Sequence, residues 1–172
     1  MGDKTLSSFR HIPRKRFGQH WLKDQGVLNQ IVKAAELNSE DCVLEVGPGK
    51  GALTEKLIES QARFIQAIEL DRDLVVGLKK RFSHQNKFSL REGDILSAPL
   101  NAENGLNINK VVANIPYNIT GPLLKRLIGE LRKAPENSFE TLVLLMQKEV
   151  AQRLLARPGT SNFSALSVRI QL

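Results

Sequence analysis

The segment Cys42-Val43-Leu44-Glu45-Val46-Gly47-Pro48-Gly49-Lys50-Gly51 narrows most what this chain can become. A short apolar run stops abruptly at a glycine-rich turn. Leu53, Leu57 and Ile58 then follow at helical spacing. This predicts a strand, a tight turn and a helix in immediate succession. A glycine turn in that place brings bare backbone to the end of a strand, where nothing hinders the close approach of a ligand.

The same alternation continues along the chain. Val27, Leu28, Ile31, Val32 and Ala35 repeat as one helix face before the first strand. Phe64 to Leu70 reads as a strand and runs into Asp71. Leu74, Val75, Leu78 and Phe82 then predict a helix, and Phe88 to Glu92 a third strand closed by Gly93-Asp94. Residues 97–109 carry the Asn, Pro and Gly of a loop. Lys110 to Ala113 is a brief strand, and Leu123 to Leu131 a basic amphipathic helix with Lys125, Arg126 and Arg132. The uninterrupted apolar run Thr141 to Met146 predicts a strand buried on both faces. Lys148 to Ala156 is helical in pattern and is stopped by Arg157-Pro158-Gly159. Strands alternating with helices specify an α/β fold, a mostly parallel sheet flanked by helices. In the last ten residues, Leu166, Val168, Ile170 and Leu172 alternate as a strand would, while Phe163, Leu166 and Ile170 would line one helix face. The chain stops inside this apolar element, which reads as a fragment of a longer protein.

Composition excludes several classes. The 172 residues suit one domain and are 41% apolar, enough for a core. No apolar run approaches the roughly 20 residues of a membrane helix, and the N-terminus lacks the apolar stretch of a secretory signal. One cysteine, Cys42, and three scattered histidines permit neither a disulfide framework nor a zinc site, so no metal is expected. Cys42 reads as a buried, inert thiol. A reducing cytoplasm fits these features. The net charge of +7 is unevenly placed: residues 1–23 hold Lys4, Arg10, Arg14, Lys15, Arg16 and Lys23 against Asp3 alone. A basic segment of this kind contacts phosphates or lies solvated as a tail. The chain is therefore divided into the basic segment 1–23 and one folded domain, 24–172.

Candidate ligand residues fall at successive strand ends. In an open parallel sheet, ligands bind outside the carboxyl ends of the strands, at the topological switch point. Gly47 and Gly49 occupy the first such end. Glu69 lies at the second, 20 residues after Gly49, where a carboxylate can accept hydrogen bonds from both ribose hydroxyls. NAD and S-adenosylmethionine share that ribose, and Gly47-x-Gly49-x-x-Ala52 satisfies the relaxed dinucleotide fingerprint, so these residues do not separate the two. Asp94 follows the third strand. It can accept from an adenine amino group, with Ile95 against the ring.

Asn114-Ile115-Pro116-Tyr117 follows the fourth strand and gives the sharpest chemical signal. An adenine amino nitrogen is a poor nucleophile because its lone pair is delocalised into the ring. A site that methylates it must accept its hydrogens as positive charge develops. The Asn114 side-chain oxygen and the carbonyl of Ile115 or Pro116 are suited to this. Pro116 fixes the backbone and adds no competing N–H. Tyr117 can stack on the extruded base. The rate would come from alignment and preorganised acceptors, without a strong general base.

On these residues the chain resembles the ribosomal RNA adenine dimethyltransferase family. Arg16-Phe17-Gly18-Gln19-His20-Trp21-Leu22 is similar to its N-terminal cofactor motif, and Leu44 to Thr54 to its glycine loop. Glu69-Leu70-Asp71, Gly93-Asp94 and Asn114-Ile115-Pro116-Tyr117-Asn118-Ile119 match the later motifs in order. The resemblance spans about residues 10–172. It implies the Rossmann-like S-adenosylmethionine-dependent methyltransferase fold, with His20, Leu22, Gly47, Glu69, Asp94 and Asn114 contacting the cofactor. The family more often has asparagine where His20 stands. The resemblance further implies a monomer whose partner is 16S rRNA in the small ribosomal subunit or its precursor, where two adjacent adenosines near the 3′ end are dimethylated. A sister branch methylates 23S rRNA and confers macrolide resistance. It also implies two more strands, an aromatic-bearing loop and a helical domain after residue 172, and makes residues 163–172 a helix, the reading adopted here. The 172-residue chain is accordingly expected to methylate ribosomal particles poorly.

Two other classes remain. One is a non-catalytic RNA-binding module on the same fold. The other is an NAD-dependent oxidoreductase, which leaves Asn114-Ile115-Pro116-Tyr117 without a purpose.

Overall fold

The computed structural model describes residues 22–129, 135 and 138–171. Five parallel strands form one sheet in the order β3-β2-β1-β4-β5. The strands are β1 (Cys42–Val46), β2 (Phe64–Glu69), β3 (Phe88–Glu92), β4 (Lys110–Asn114) and β5 (Thr141–Leu145). The helices are α1 (Gln25–Ala34), α2 (Ala52–Glu59), α3 (Arg72–Arg81), α4 (Thr120–Ile128), α5 (Lys148–Leu154) and α6 (Ala165–Gln171). The chain moves outward from β1 through β2 to β3, then returns to lay β4 on the other side of β1. The switch point therefore lies between β1 and β4, where Val46 pairs with Ala113.

Side-chain alternation sorts the core into two layers. Leu44, Val46, Ile68, Val111 and Ala113 face one way and pack with Leu123 and Leu127 of α4 and with the 95–108 loop. Val43, Ile65 and Val112 face the other way and pack with Leu28, Ile31, Leu53 and Leu57 of α1 and α2. Ala67 and Leu90 continue that second face under Leu74, Val75 and Leu78 of α3. Both faces of β1 are buried along its whole length, as a central parallel strand requires.

Helix starts follow local chemistry. The Asp24 side chain accepts from the Val27 N–H at the start of α1, and Asp71 accepts from the Asp73 N–H at the start of α3. At the far end of the sheet, buried Lys110 donates to the Ala35 and Glu36 carbonyls beyond α1 and pairs with Asp41 at 3.0 Å. Burial raises the Asp41 carboxyl, but the Asn38 N–H, the Asn109 amide and Lys110 outweigh it and hold the group below its usual value. No helix among the described residues is long and apolar enough to cross a membrane.

Four expectations need correction. Helix α4 starts at Thr120, because Gly121 and Pro122 are tolerated in a first turn, and ends at Ile128, because Gly129 takes φ 77°. Leu131 and Arg132 lie outside the described residues. Strand β5 is half-buried rather than buried on both faces, since it pairs only with β4 and is the outermost strand among the described residues. Strand β2 ends at Glu69, which leaves Leu70 half exposed beyond it, and α5 ends two residues earlier than expected, at Leu154. The ambiguous terminal segment is helical from Ala165 to Gln171.

Candidate active site

A concave pocket opens at the carboxyl ends of β1, β2, β3 and β4. Gly47, Glu69, Asp94 and Asn114 all line it. Each sits at or just beyond the end of a different strand, and the strand order fixes their sequence along the rim: Asp94, Glu69, Gly47, Asn114. Neighbouring parallel strands are about 4.8 Å apart, so this row spans roughly 14 Å. Gly49, Ile95, Pro116, Tyr117 and Leu22 also line the pocket. The structure thus brings these residues, singled out in the sequence, to one pocket. His20 lies outside the described residues, so its expected contact has no structural counterpart here.

The glycine loop is built from three left-handed residues. Gly47, Gly49 and Gly51 have φ of 63°, 60° and 81°. Their reasons differ. A Cβ on Gly51 would sit 2.8 Å from the Phe82 ring and 2.9 Å from Leu78, so this glycine lets α2 pack on α3. A Cβ on Gly47 would meet nothing within 4 Å. It would point into open space beside the pocket, so the bare backbone there leaves room for a ligand. The Gly47 N–H donates to the Ile68 carbonyl at 3.0 Å, and Arg81 from α3 donates to the Lys50 carbonyl at 2.8 Å.

The acidic residues are held firmly. Glu69 Oε2 accepts from the Gly49 N–H at 3.0 Å and Oε1 accepts from the Asp71 N–H at 2.9 Å. Burial raises the Glu69 carboxyl, and the N–H groups of Asp71, Gly49 and Leu70 offset that only in part. Asp94 Oδ1 accepts from the Leu96 N–H at 2.9 Å, and its carbonyl accepts from Ser97 and Ala98. Asp94 is thus both a turn residue and a pocket residue. Ile95 is 6% exposed and joins the core while still lining the pocket.

The segment after β4 keeps an extended Pro116 (φ −60°, ψ 138°) followed by a short 3-10 turn, Tyr117–Ile119. The Ile115 N–H donates to the Leu145 carbonyl at 3.0 Å. The Pro116 carbonyl accepts from the Ile119 N–H at 3.2 Å and the Thr120 hydroxyl at 3.3 Å. The Pro116 carbonyl is thereby engaged inside the turn, with the Thr120 hydroxyl shared between it and the Tyr117 carbonyl at 3.4 Å. Of the two carbonyls proposed from sequence as acceptors, Ile115 is the one left for a substrate. Asn114 is half-buried, and Tyr117 is 46% exposed at the pocket mouth.

Two residues were missed by the sequence reading. Arg126 reaches from α4 to the carbonyls of Ile95 and Ala98, tying the Asp94–Ile95 turn to the helix that follows Asn114. Only its place on a basic helix was visible in sequence. Glu45 is 1% exposed, lines the pocket and has both carboxyl oxygens without a hydrogen-bond partner. The signal for it was a single carboxylate inside an apolar strand.

The comparisons bear on this arrangement. The family model for ribosomal RNA adenine dimethylases matches residues 10–172. The chain belongs to the ribosomal RNA adenine dimethylase family. A ribosomal RNA small subunit methyltransferase A of Prochlorococcus marinus (strain NATL2A) is 95% identical over 99% of this chain and 59% of its own length. The same-named protein of Synechococcus sp. (strain CC9902) is 66% identical over 97% of this chain and 61% of its own. This dimethylase-family chain thus spans about three-fifths of the length of the curated relatives it matches. Among solved structures, a dimethyladenosine transferase from Plasmodium falciparum is 36% identical with TM-score 0.75, over 88% of this chain and 52% of that one. A 23S rRNA methyltransferase, ErmE, is 29% identical with TM-score 0.66, over 78% and 50%. The fold is the Rossmann-like fold of these methyltransferases.

Proposed function

We propose that this chain is the cofactor-binding catalytic part of an S-adenosylmethionine-dependent enzyme that dimethylates two adjacent adenosines near the 3′ end of 16S rRNA. The single observation that carries this reading is the order of residues along the rim. Asp94 suits the cofactor's adenine amino group, Glu69 its ribose and Gly47 the approach of its amino-acid end, with Asn114 next in line. S-adenosylmethionine supplies the methyl group, as a sulfonium. The residues present fit it: Gly47 leaves the room, Glu69 and Asp94 offer acceptors, and buried Glu45 offers an unpartnered carboxyl. His20 and Leu22 complete the proposed contacts, with Gly49 and Ile95 shaping the loop and the ring face.

The residues after β4 supply the rest. Asn114 Oδ1 and the Ile115 carbonyl accept hydrogen bonds from the target amino group, two in the first transfer and one in the second, and one amino proton leaves to solvent after each methyl is received. Pro116 holds the Ile115 carbonyl in place by committing its own to the turn. Tyr117, exposed at the mouth, stacks on the base. These acceptors are fixed before reaction, so they stabilise developing positive charge without reorganising.

The small-subunit target is favoured by the relatives named above, which are 66% and 95% identical and are called small subunit methyltransferases. We place the protein in the cytoplasm, as a monomer, with residues 1–23 as a phosphate-contacting segment and 24–172 as the catalytic domain. The test is tritiated-methyl transfer by this chain extended with the C-terminal remainder of its Prochlorococcus marinus NATL2A relative. Small ribosomal subunits and naked 23S rRNA are the substrates. Label is expected in small-subunit adenosines; label only in 23S rRNA would overturn the target.

A further inference from the structure

The Glu45 carboxyl sits in the central strand with no ion pair among the described residues. Both of its oxygens are buried without a hydrogen bond of normal geometry, and the Thr54 hydroxyl of α2, which also makes none, lies near enough to ease the charged form only in part. The register neighbours of Glu45 are Ala67 on β2 and Val112 on β4, both apolar. Of the ionisable groups around the pocket, Lys50, Glu69, Asp94 and Tyr117, only the Glu69 charge bears on Glu45, and it is also acidic. A carboxylate so placed lacks any positive partner among the described residues. An apolar residue or an amide would satisfy the packing better. Yet the side chain lines the pocket under the glycine loop.

We propose that Glu45 is a charge-sensing binding residue, protonated until a cationic ligand enters the pocket and ionised by it, so that binding releases a proton to solvent. This rests on the reading of the pocket as an S-adenosylmethionine site. That cofactor brings the positive charge that the protein does not provide. The balance is simple: the Glu45 O–H bond breaks, the electron pair stays on the carboxylate facing the cation, and the proton leaves through the open pocket. Burial explains the resting state. It pushes the carboxyl up to about 8, the nearby Thr54 hydroxyl offsets this only partly, and the Glu69 charge adds to it.

The experiment is titration calorimetry of the 172-residue chain with S-adenosylmethionine at pH 7, in buffers of different ionisation enthalpy. Close to one proton should be released per ligand bound. Apparent affinity should rise by up to about tenfold per pH unit from pH 6 and level off above about 8. Glu45→Gln should abolish the release and flatten the Glu45-dependent part of the pH profile, while Thr54→Val should retain the release. Difference infrared spectra should show a protonated-carboxyl band lost on binding in the wild type and absent in Glu45→Gln. S-adenosylhomocysteine, which keeps the ammonium but lacks the sulfonium, should release fewer protons if the sulfonium is the partner and as many if the ammonium is. Tight binding of S-adenosylmethionine without proton release, or an equal release by Glu45→Gln, overturns the proposal. Failure of the wild type to bind S-adenosylmethionine at all removes the cofactor reading, and this inference with it.

Discussion

The Glu69 carboxylate at the end of β2 accepts a hydrogen bond from the Gly49 N–H, in the loop after β1, at 3.0 Å. One residue therefore serves two purposes. It fixes the shape of the glycine loop and it presents a carboxylate to the pocket beside it. Glu69→Ala should remove both. Loss of a charge-assisted contact of about 1.5–3 kcal/mol corresponds to S-adenosylmethionine binding weakened by roughly 10- to 100-fold. Calorimetry checks this, and an unchanged Kd would remove Glu69 from the site.

Gly51 and Gly47 make a paired test of packing against ligand space. Gly51→Ala puts a Cβ 2.8 Å from the Phe82 ring at φ 81°, and should cost about 2–3 kcal/mol of stability. Gly47→Ala meets nothing, so only the backbone penalty of about 1–2 kcal/mol applies. It should nevertheless weaken cofactor binding more than Gly51→Ala does. Urea unfolding and calorimetry on both variants read the two effects separately.

The buried Glu45 carboxyl also predicts how stability changes with pH. Its value rises from 4.5 to about 8 because burial disfavours the charged form. Between those values the folded chain holds a proton that the unfolded chain releases. The contribution is complete below about pH 4.5, falls as pH rises and flattens above about 8, with a slope of up to about 1.4 kcal/mol per pH unit. Glu69, also raised by burial, acts in the same direction. Urea midpoints at pH 6, 7 and 8 should decline in the wild type and decline less in Glu45→Gln. Parallel profiles would contradict this.

Residues 1–15 hold Lys4, Arg10, Arg14 and Lys15. If they contact phosphates, deleting them should weaken RNA binding and reduce the slope of log K against log salt by up to about 3. An unchanged slope would make this segment a solvated tail.

Much of this was legible in the sequence, for identifiable reasons. The run Cys42–Val46 and its glycine turn marked a strand end, and Glu69, Asp94 and Asn114 each lie at or just after a short segment with strand patterning. Their arrangement on one rim follows from the strand order β3-β2-β1-β4-β5, which the alternation of strands and helices did not specify. What was not legible depends on contacts distant in sequence. Arg126 looks like any cation on a helix until its guanidinium is seen at the Ile95 and Ala98 carbonyls. The choice between Ile115 and Pro116 as acceptor depends on Thr120 and Ile119 bonding the Pro116 carbonyl. The half-burial of β5 could not be read from composition, because an apolar run looks the same at the edge of a sheet as at its centre.

The most direct test of the account is Asn114→Ala, in the chain extended as above. Asn114 is claimed to act on the target amino group as charge develops, more than on the cofactor. Single-turnover methyl transfer to small subunits should fall by about 100-fold or more, while the Kd for S-adenosylmethionine changes by less than about 10-fold. Transfer at the wild-type rate, or a loss fully explained by weaker cofactor binding, would contradict it.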